Sequence, residues 1–115
     1  MQFKLIMAFV KPNICDDVVD AMKEAGATGA TIIPARGTGI HEAKSFFGLS
    51  IEDKTDIIVF LVEEHVVENL LKVIQEAGRF DKPGTGIAFV LPIEHIAGLE
   101  SQMKKFKDQA RDKYF

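Results

Sequence analysis

Thr55-Asp56-Ile57-Ile58-Val59-Phe60-Leu61-Val62 runs from two polar residues into six consecutive apolar ones. Six residues are short for a helix and ordinary for a strand, and β-branched Ile and Val favour extended backbone. Neither alternating face carries a polar residue, so the strand belongs in the interior of a sheet with both faces covered. The chain opens on a second run of the same kind. Phe3, Leu5, Met7 and Phe9 alternate with Ile6, Ala8 and Val10. These two strands are the expected centre of the sheet.

Each of the two strands leads into a helix and then a further strand. After the first, Pro12-Asn13 opens a helix, with Asn13 read as the N-cap and Asp16-Asp17 in the first turn. Ile14, Val18, Met22 and Ala25 form its apolar stripe and Gly26 ends it. Thr28 to Ala35 reads as a strand running on to Arg36. After the Thr55–Val62 strand, a helix from about Glu64 to Ala77 turns Val66, Val67, Leu70, Leu71 and Ile74 inward and stops at Gly78. Phe80 to Gly86 is a loop, and Ile87 to Leu91 is a strand stopped by Pro92. The halves echo each other, since Glu24-Ala25-Gly26 closes one helix and Glu76-Ala77-Gly78 the other. Residues 40–53 have no clean period and read as a loop.

This order predicts an α+β fold, a ferredoxin-like split βαβ sandwich (βαββαβ) with strand order 4-1-3-2. Helices cover one face of such a sheet, and the apolar pattern of the other face calls for an oligomer. Residues 1–92 form the domain. Residues 93–115 are read as a helical extension of it, with Ile96, Leu99, Met103, Phe106 and Ala110 on one stripe. The extension is expected to pack on its own domain or on a neighbouring subunit.

Composition narrows the function. The chain has 115 residues, 47% of them hydrophobic, which supports one packed domain. A net charge of −3 argues against a nucleic-acid partner, which would select a basic face. The single Cys15 forms no internal disulfide and fits a reducing compartment, its thiol half-buried near a helix start. The apolar start is interrupted by Lys4 and ended by Lys11-Pro12. It is too short to span a membrane and lacks a signal-peptide layout, so a cytoplasmic protein is expected.

Two Gly-Thr-Gly tripeptides, Gly37-Thr38-Gly39 and Gly84-Thr85-Gly86, carry the chemistry. Glycine permits positive φ and close approach of a ligand, and successive turn amides form an anion nest. Arg36 and Lys82 flank the two turns and add positive charge. In the expected topology both turns fall on one rim, on opposite edges of the sheet, roughly 14 Å apart at about 4.8 Å per strand step. No phosphate-loop lysine motif, Cys-x-x-Cys or nucleophile elbow is present, so no enzyme activity is expected. His41, Glu42, Glu63, Glu64, His65 and His95 are candidate metal ligands, but none falls in an established ligand spacing.

Taken together, these motifs resemble the PII signalling family over residues 2–92. The resemblance rests on Lys11-Pro12, on Gly26-Ala27-Thr28-Gly29-Ala30-Thr31, on Arg36-Gly37-Thr38-Gly39, and on Lys82-Pro83-Gly84-Thr85-Gly86 followed by Ile87-Ala88-Phe89-Val90. It implies a homotrimer with adenine nucleotides in clefts between subunits. It also implies a mobile T-loop that grips a target such as a transporter or a metabolic enzyme of nitrogen or carbon metabolism. By the resemblance, Thr31 sits near the adenine. Gly37, Thr38 and Gly39 form the T-loop base, and Gly84, Thr85 and Gly86 form the B-loop around the phosphates.

The departures from the family pattern are specific. Ile40 and Ile87 stand where cations are usual, and Gly98 and Glu100 align with two expected arginines. Each such cation gives charge-assisted hydrogen bonds to phosphate. An effector with fewer phosphates than ATP (AMP, ADP or a cyclic nucleotide) is therefore at least as well suited. The central loop is shorter than the family's, the sole tyrosine is Tyr114, and His41 replaces a usual glutamine. The alternative function is a metal-responsive trimer like the CutA divalent-cation tolerance family, with His41, Glu42 and His95 as ligands.

Overall fold

The computed structural model describes residues 2–36, 45–46, 49–50 and 54–99. Strand β1 (Phe3–Val10) leads to helix α1 (Pro12–Glu24), strand β2 (Thr31–Arg36) and two short strands, β3 (Ser45–Phe46) and β4 (Leu49–Ser50). Strand β5 (Lys54–Glu63) comes next, then a 3-10 turn (Glu64–Val66), helix α2 (Val67–Ala77) and strand β6 (Gly86–Pro92). The four long strands form one antiparallel sheet in the order β2-β5-β1-β6. This is the ferredoxin-like plan, with the two doubly apolar strands at its centre.

Register sorts the side chains. Ile6, Ala8 and Val10 of β1 lie level with Phe60, Ile58 and Asp56 of β5. Their apolar members are fully buried and join Val18 and Met22 of α1 and Leu70 and Ile74 of α2 in a single core. The alternate residues face the other way. Leu5, Met7 and Phe9 pair with Leu61, Val59 and Ile57 on one side and with Leu91, Phe89 and Ile87 on the other. Phe9 and Phe89 meet edge to face, with ring centroids 5.7 Å apart. No described helix covers this face, and Leu61 and Leu91 are exposed.

Several local expectations change. Lys11, not Asn13, is the N-cap of α1, with no side-chain cap bond. Pro12 takes the first helical position, where its fixed φ suits the helix and its missing N–H is not needed. Asp16 and Asp17 consequently fall beyond the first turn. Cys15, Val18, Val19 and Met22 are the buried stripe, with Ile14 and Ala25 packed at its margin. Strand β2 starts at Thr31 rather than Thr28. The chain leaves α1 through Gly26 at φ 108°, with the Gly26 and Ala27 amides donating to the Lys23 and Met22 carbonyls at 3.1 and 2.9 Å. This is a Schellman turn, and Ala27 is buried by it.

The central loop contains the Ser45–Phe46 and Leu49–Ser50 ladder, with Ser45 opposite Ser50 and Phe46 opposite Leu49. Two-residue strands are too short for alternation to show in a sequence. Residues 93–96 and the bend at 97–98 are irregular, and the expected helix beyond Leu99 lies outside the described residues. Among the described residues no helix is long and apolar enough to cross a membrane.

Cys15 is more deeply buried than half, and its thiol donates to the Asp56 carboxylate. Burial first, then that hydrogen bond and the charges of Asp56 and Asp16, raise its pKa from 9.0 to about 11. The unfolded chain releases this proton first, so the thiol's contribution to stability is present below pH 9.0 and lost as pH rises toward about 11. At pH 8 the native thiol should react with iodoacetamide at least ~100-fold more slowly than in urea, since thiolate is the nucleophile. Equal rates would contradict the buried, hydrogen-bonded placement.

Candidate functional site

The rim of the sheet is built by three neighbouring pairs. Val10, at the end of β1, lies level with Asp56 on one side and Gly86 on the other. Arg36, at the end of β2, lies opposite Lys54, two residues along β5 from Asp56. The Thr55 hydroxyl donates to the Val10 carbonyl at 2.9 Å and ties β5 to β1 at this end. Arg36 and Gly86 therefore share one rim and occupy its opposite edges, as the topology predicts. Gly37, Thr38 and Gly39 lie outside the described residues, as do His41 and Glu42.

The turn before β6 is ordered by its own bonds. Helix α2 ends in a second Schellman turn, with the Arg79 amide donating to the Glu76 carbonyl at 3.3 Å and the Phe80 amide to Gln75 at 3.0 Å. Gly78 has an ordinary φ of −84°, and it is Arg79 that takes the left-handed φ of 55°. The Arg79 carbonyl then accepts twice, from the Lys82 amide at 3.0 Å and the Thr85 hydroxyl at 2.8 Å. The Thr85 oxygen also lies 2.9 Å from the Lys82 carbonyl. The single Thr85 proton is thus shared between two loop carbonyls, and its oxygen lone pairs remain to accept from a ligand. Gly84, at φ 79°, occupies a conformation that side chains rarely adopt. The exposed Lys82 completes this edge of the rim.

Thr31 lies elsewhere. It starts β2, five residues from Arg36, or about 16 Å along a strand. It lines a groove of about 650 Å³ with the Gly26–Ala30 linker, Val59, Leu61 and Leu99. This groove reaches Phe3 and Glu63, the end of the sheet opposite the rim. Within one chain, Thr31 and Arg36 on β2 are separated from Lys82, Gly84, Thr85 and Gly86 by the full width of β5 and β1.

The positions that depart from phosphate-binding chemistry are partly visible. Ile87 lies on the open sheet face opposite Phe9, and Gly98 takes a φ of 86°. Neither residue carries a positive charge. Ile40 and Glu100 lie outside the described residues. Among the described residues no cluster of three or more His, Cys, Asp or Glu could hold a metal. His95 is exposed, and the exposed His65 has Nδ1 3.3 Å from a Glu63 carboxylate oxygen. One residue packed beside the rim, Phe80, is not visible in sequence patterning, because an aromatic just past a helix end belongs to no periodic stripe.

The nitrogen regulatory protein P-II sequence model matches residues 3–102. The chain is 29% identical over 106 residues to the nitrogen regulatory protein P-II of Azospirillum brasilense, covering 88% of this chain and 95% of that one. It is 31% identical over 96 residues to that of Rhodospirillum rubrum, covering 79% and 86%. Over 94 residues it is 30% identical to the nifHD-region GlnB-like protein 1 of Methanothermobacter marburgensis, covering 80% and 89%. The structure of Arabidopsis thaliana PII bound to citrate superposes with a TM-score of 0.65 at 27% identity, covering 81% of this chain and 78% of that one. These relatives give the metal-tolerance alternative no support. With a family model spanning most of its length and a matching fold, the chain belongs to the nitrogen regulatory protein P-II family.

Proposed function

We propose that this protein is a trimeric, non-enzymatic cytoplasmic regulator. It binds a small effector, an adenine nucleotide, in clefts between subunits, and the effector controls how the segment 40–53, its short T-loop, meets a transporter or a metabolic enzyme. The observation that carries this reading is the separation of the two half-sites. Thr31 and Arg36 lie on one edge strand, and Lys82, Gly84, Thr85 and Gly86 lie at the other. Two copies side by side, edge against edge, would bring one half-site from each into a single cleft. Gly37, Thr38 and Gly39, next in sequence after Arg36, belong to the same half-site in this reading. The effector acts by preferring one state of the segment, which shifts the population toward it.

The missing cations set the ligand preference. A charged hydrogen bond contributes about 1.5–3 kcal/mol, so a site lacking four of them gains little from each added phosphate. Calorimetry with AMP, ADP, ATP and a cyclic dinucleotide tests this. AMP and ADP are expected to bind within about tenfold of ATP, a difference of about 1.4 kcal/mol. Absence of heat with all four at millimolar concentration would retire the nucleotide reading.

A further inference from the structure

We propose that Phe80 is a positioning residue that sets the conformation of the Gly84–Gly86 loop before any effector arrives. The proposal rests on the reading of that loop as half of the effector site. Phe80 is partly buried and packed against the core, and its ring fills the space between two glycines. A methyl carbon placed on Gly78 would lie 2.5 Å from Cε1 of Phe80 and 2.9 Å from the Ile74 carbonyl oxygen. One placed on Gly86 would lie 2.5 Å from the same Cε1, 3.0 Å from Cζ and 2.7 Å from the Phe9 carbonyl oxygen. Both distances to the ring are shorter than real Cβ contacts allow, so the ring is seated directly on two bare Cα positions. Gly86 thus has a packing reason independent of ligand.

The backbone around Phe80 is shaped for this seat. Helix α2 could have ended with Gly78 in the left-handed conformation. Instead Gly78 stays right-handed and Arg79, a bulky residue, takes φ 55°. That outlier carries the chain so that the Phe80 amide closes on Gln75 and the Arg79 carbonyl faces the loop. The carbonyl then holds the Lys82 amide and the Thr85 hydroxyl. The ring anchors the far end of the loop at Gly86, where β6 begins against β1. The loop is therefore fixed at both ends by groups that are not ligand contacts.

A loop held in one state does not have to be ordered on binding. When only a fraction of molecules has the competent loop, the apparent dissociation constant rises by the inverse of that fraction. Phe80→Ala empties the seat, and Phe80→Met refills part of it with a flexible apolar chain. In the effector-free trimer, amide exchange across residues 82–86 should quicken at least ~10-fold in Phe80→Ala and less in Phe80→Met, with β5 amides unchanged. The ADP dissociation constant should rise about tenfold in Phe80→Ala and by less in Phe80→Met. Unchanged exchange across 82–86 in both variants would overturn the proposal, as would faster exchange with unaltered ADP affinity. Exchange in the effector-free protein is read without nucleotide. A parent that binds no ADP would count against the nucleotide reading, and the exchange result would still decide the role of Phe80.

Discussion

Phe60→Ala is expected to cost about 3–5 kcal/mol of folding stability, a large share of what a domain of this size has. Phe60 is fully buried on the helix-facing side of β5, a central strand, level with the equally buried Ile6 of β1. Removing its ring leaves a cavity in the core that β1 and β5 share with the two helices, and a sheet paired on both sides cannot collapse to fill it. Leu61, its neighbour in sequence, points to the open face and is 38% exposed. Leu61→Ala should cost under half as much in a dissociated chain. Urea unfolding of both variants, at matched slopes, reads the contrast directly. Equal losses would mean that the two faces of β5 are not distinguished as described.

The second large effect concerns assembly. Met7 lies in the middle of the open face, level with Val59 on one side and Phe89 on the other. We propose that this apolar face, beside the edges that form the clefts, is buried between the subunits of the proposed trimer. Met7→Glu places a carboxylate at its centre. In a separated chain that charge meets water at little cost, whereas between subunits it would be desolvated without a partner. The variant should keep its circular dichroism and run at monomer mass in light scattering at micromolar concentration, where the parent is expected to run as the proposed trimer. An unchanged mass, or a parent already monomeric, would overturn the proposal that this face is the subunit interface.

Much of the architecture was legible because it rests on long apolar runs. Phe3–Val10 and Ile57–Val62 announce central strands by lacking any polar face, and the stripes of α1 and α2 keep a helical period. The details that escaped are those decided by one or two residues. Asn13 looks like a cap, yet the ring of Pro12 claims the first helical position and moves the cap to Lys11. The Ser45–Phe46 and Leu49–Ser50 pairing has no repeat to read. At the rim, the glycines of Gly84-Thr85-Gly86 were legible as a turn. The internal use of the Thr85 hydroxyl was not, because it depends on carbonyls six and three residues away that only the fold brings near. The seat of Phe80 was hidden for the same reason, since it joins residues from α2, β1 and β6.

The echoed tripeptides Glu24-Ala25-Gly26 and Glu76-Ala77-Gly78 acquire a different meaning from the two helix ends. Around Gly26 a side chain would find open space, and only the torsion of 108° excludes it. At Gly78 the torsion is one that any residue adopts, and only the lack of volume excludes a side chain. The two glycines answer to opposite constraints, because α2 runs one residue further through its copy of the motif than α1 does. Superposing the halves by sequence would therefore equate positions that are one step out of phase in space. A change accepted in one half gives no guide to its counterpart in the other.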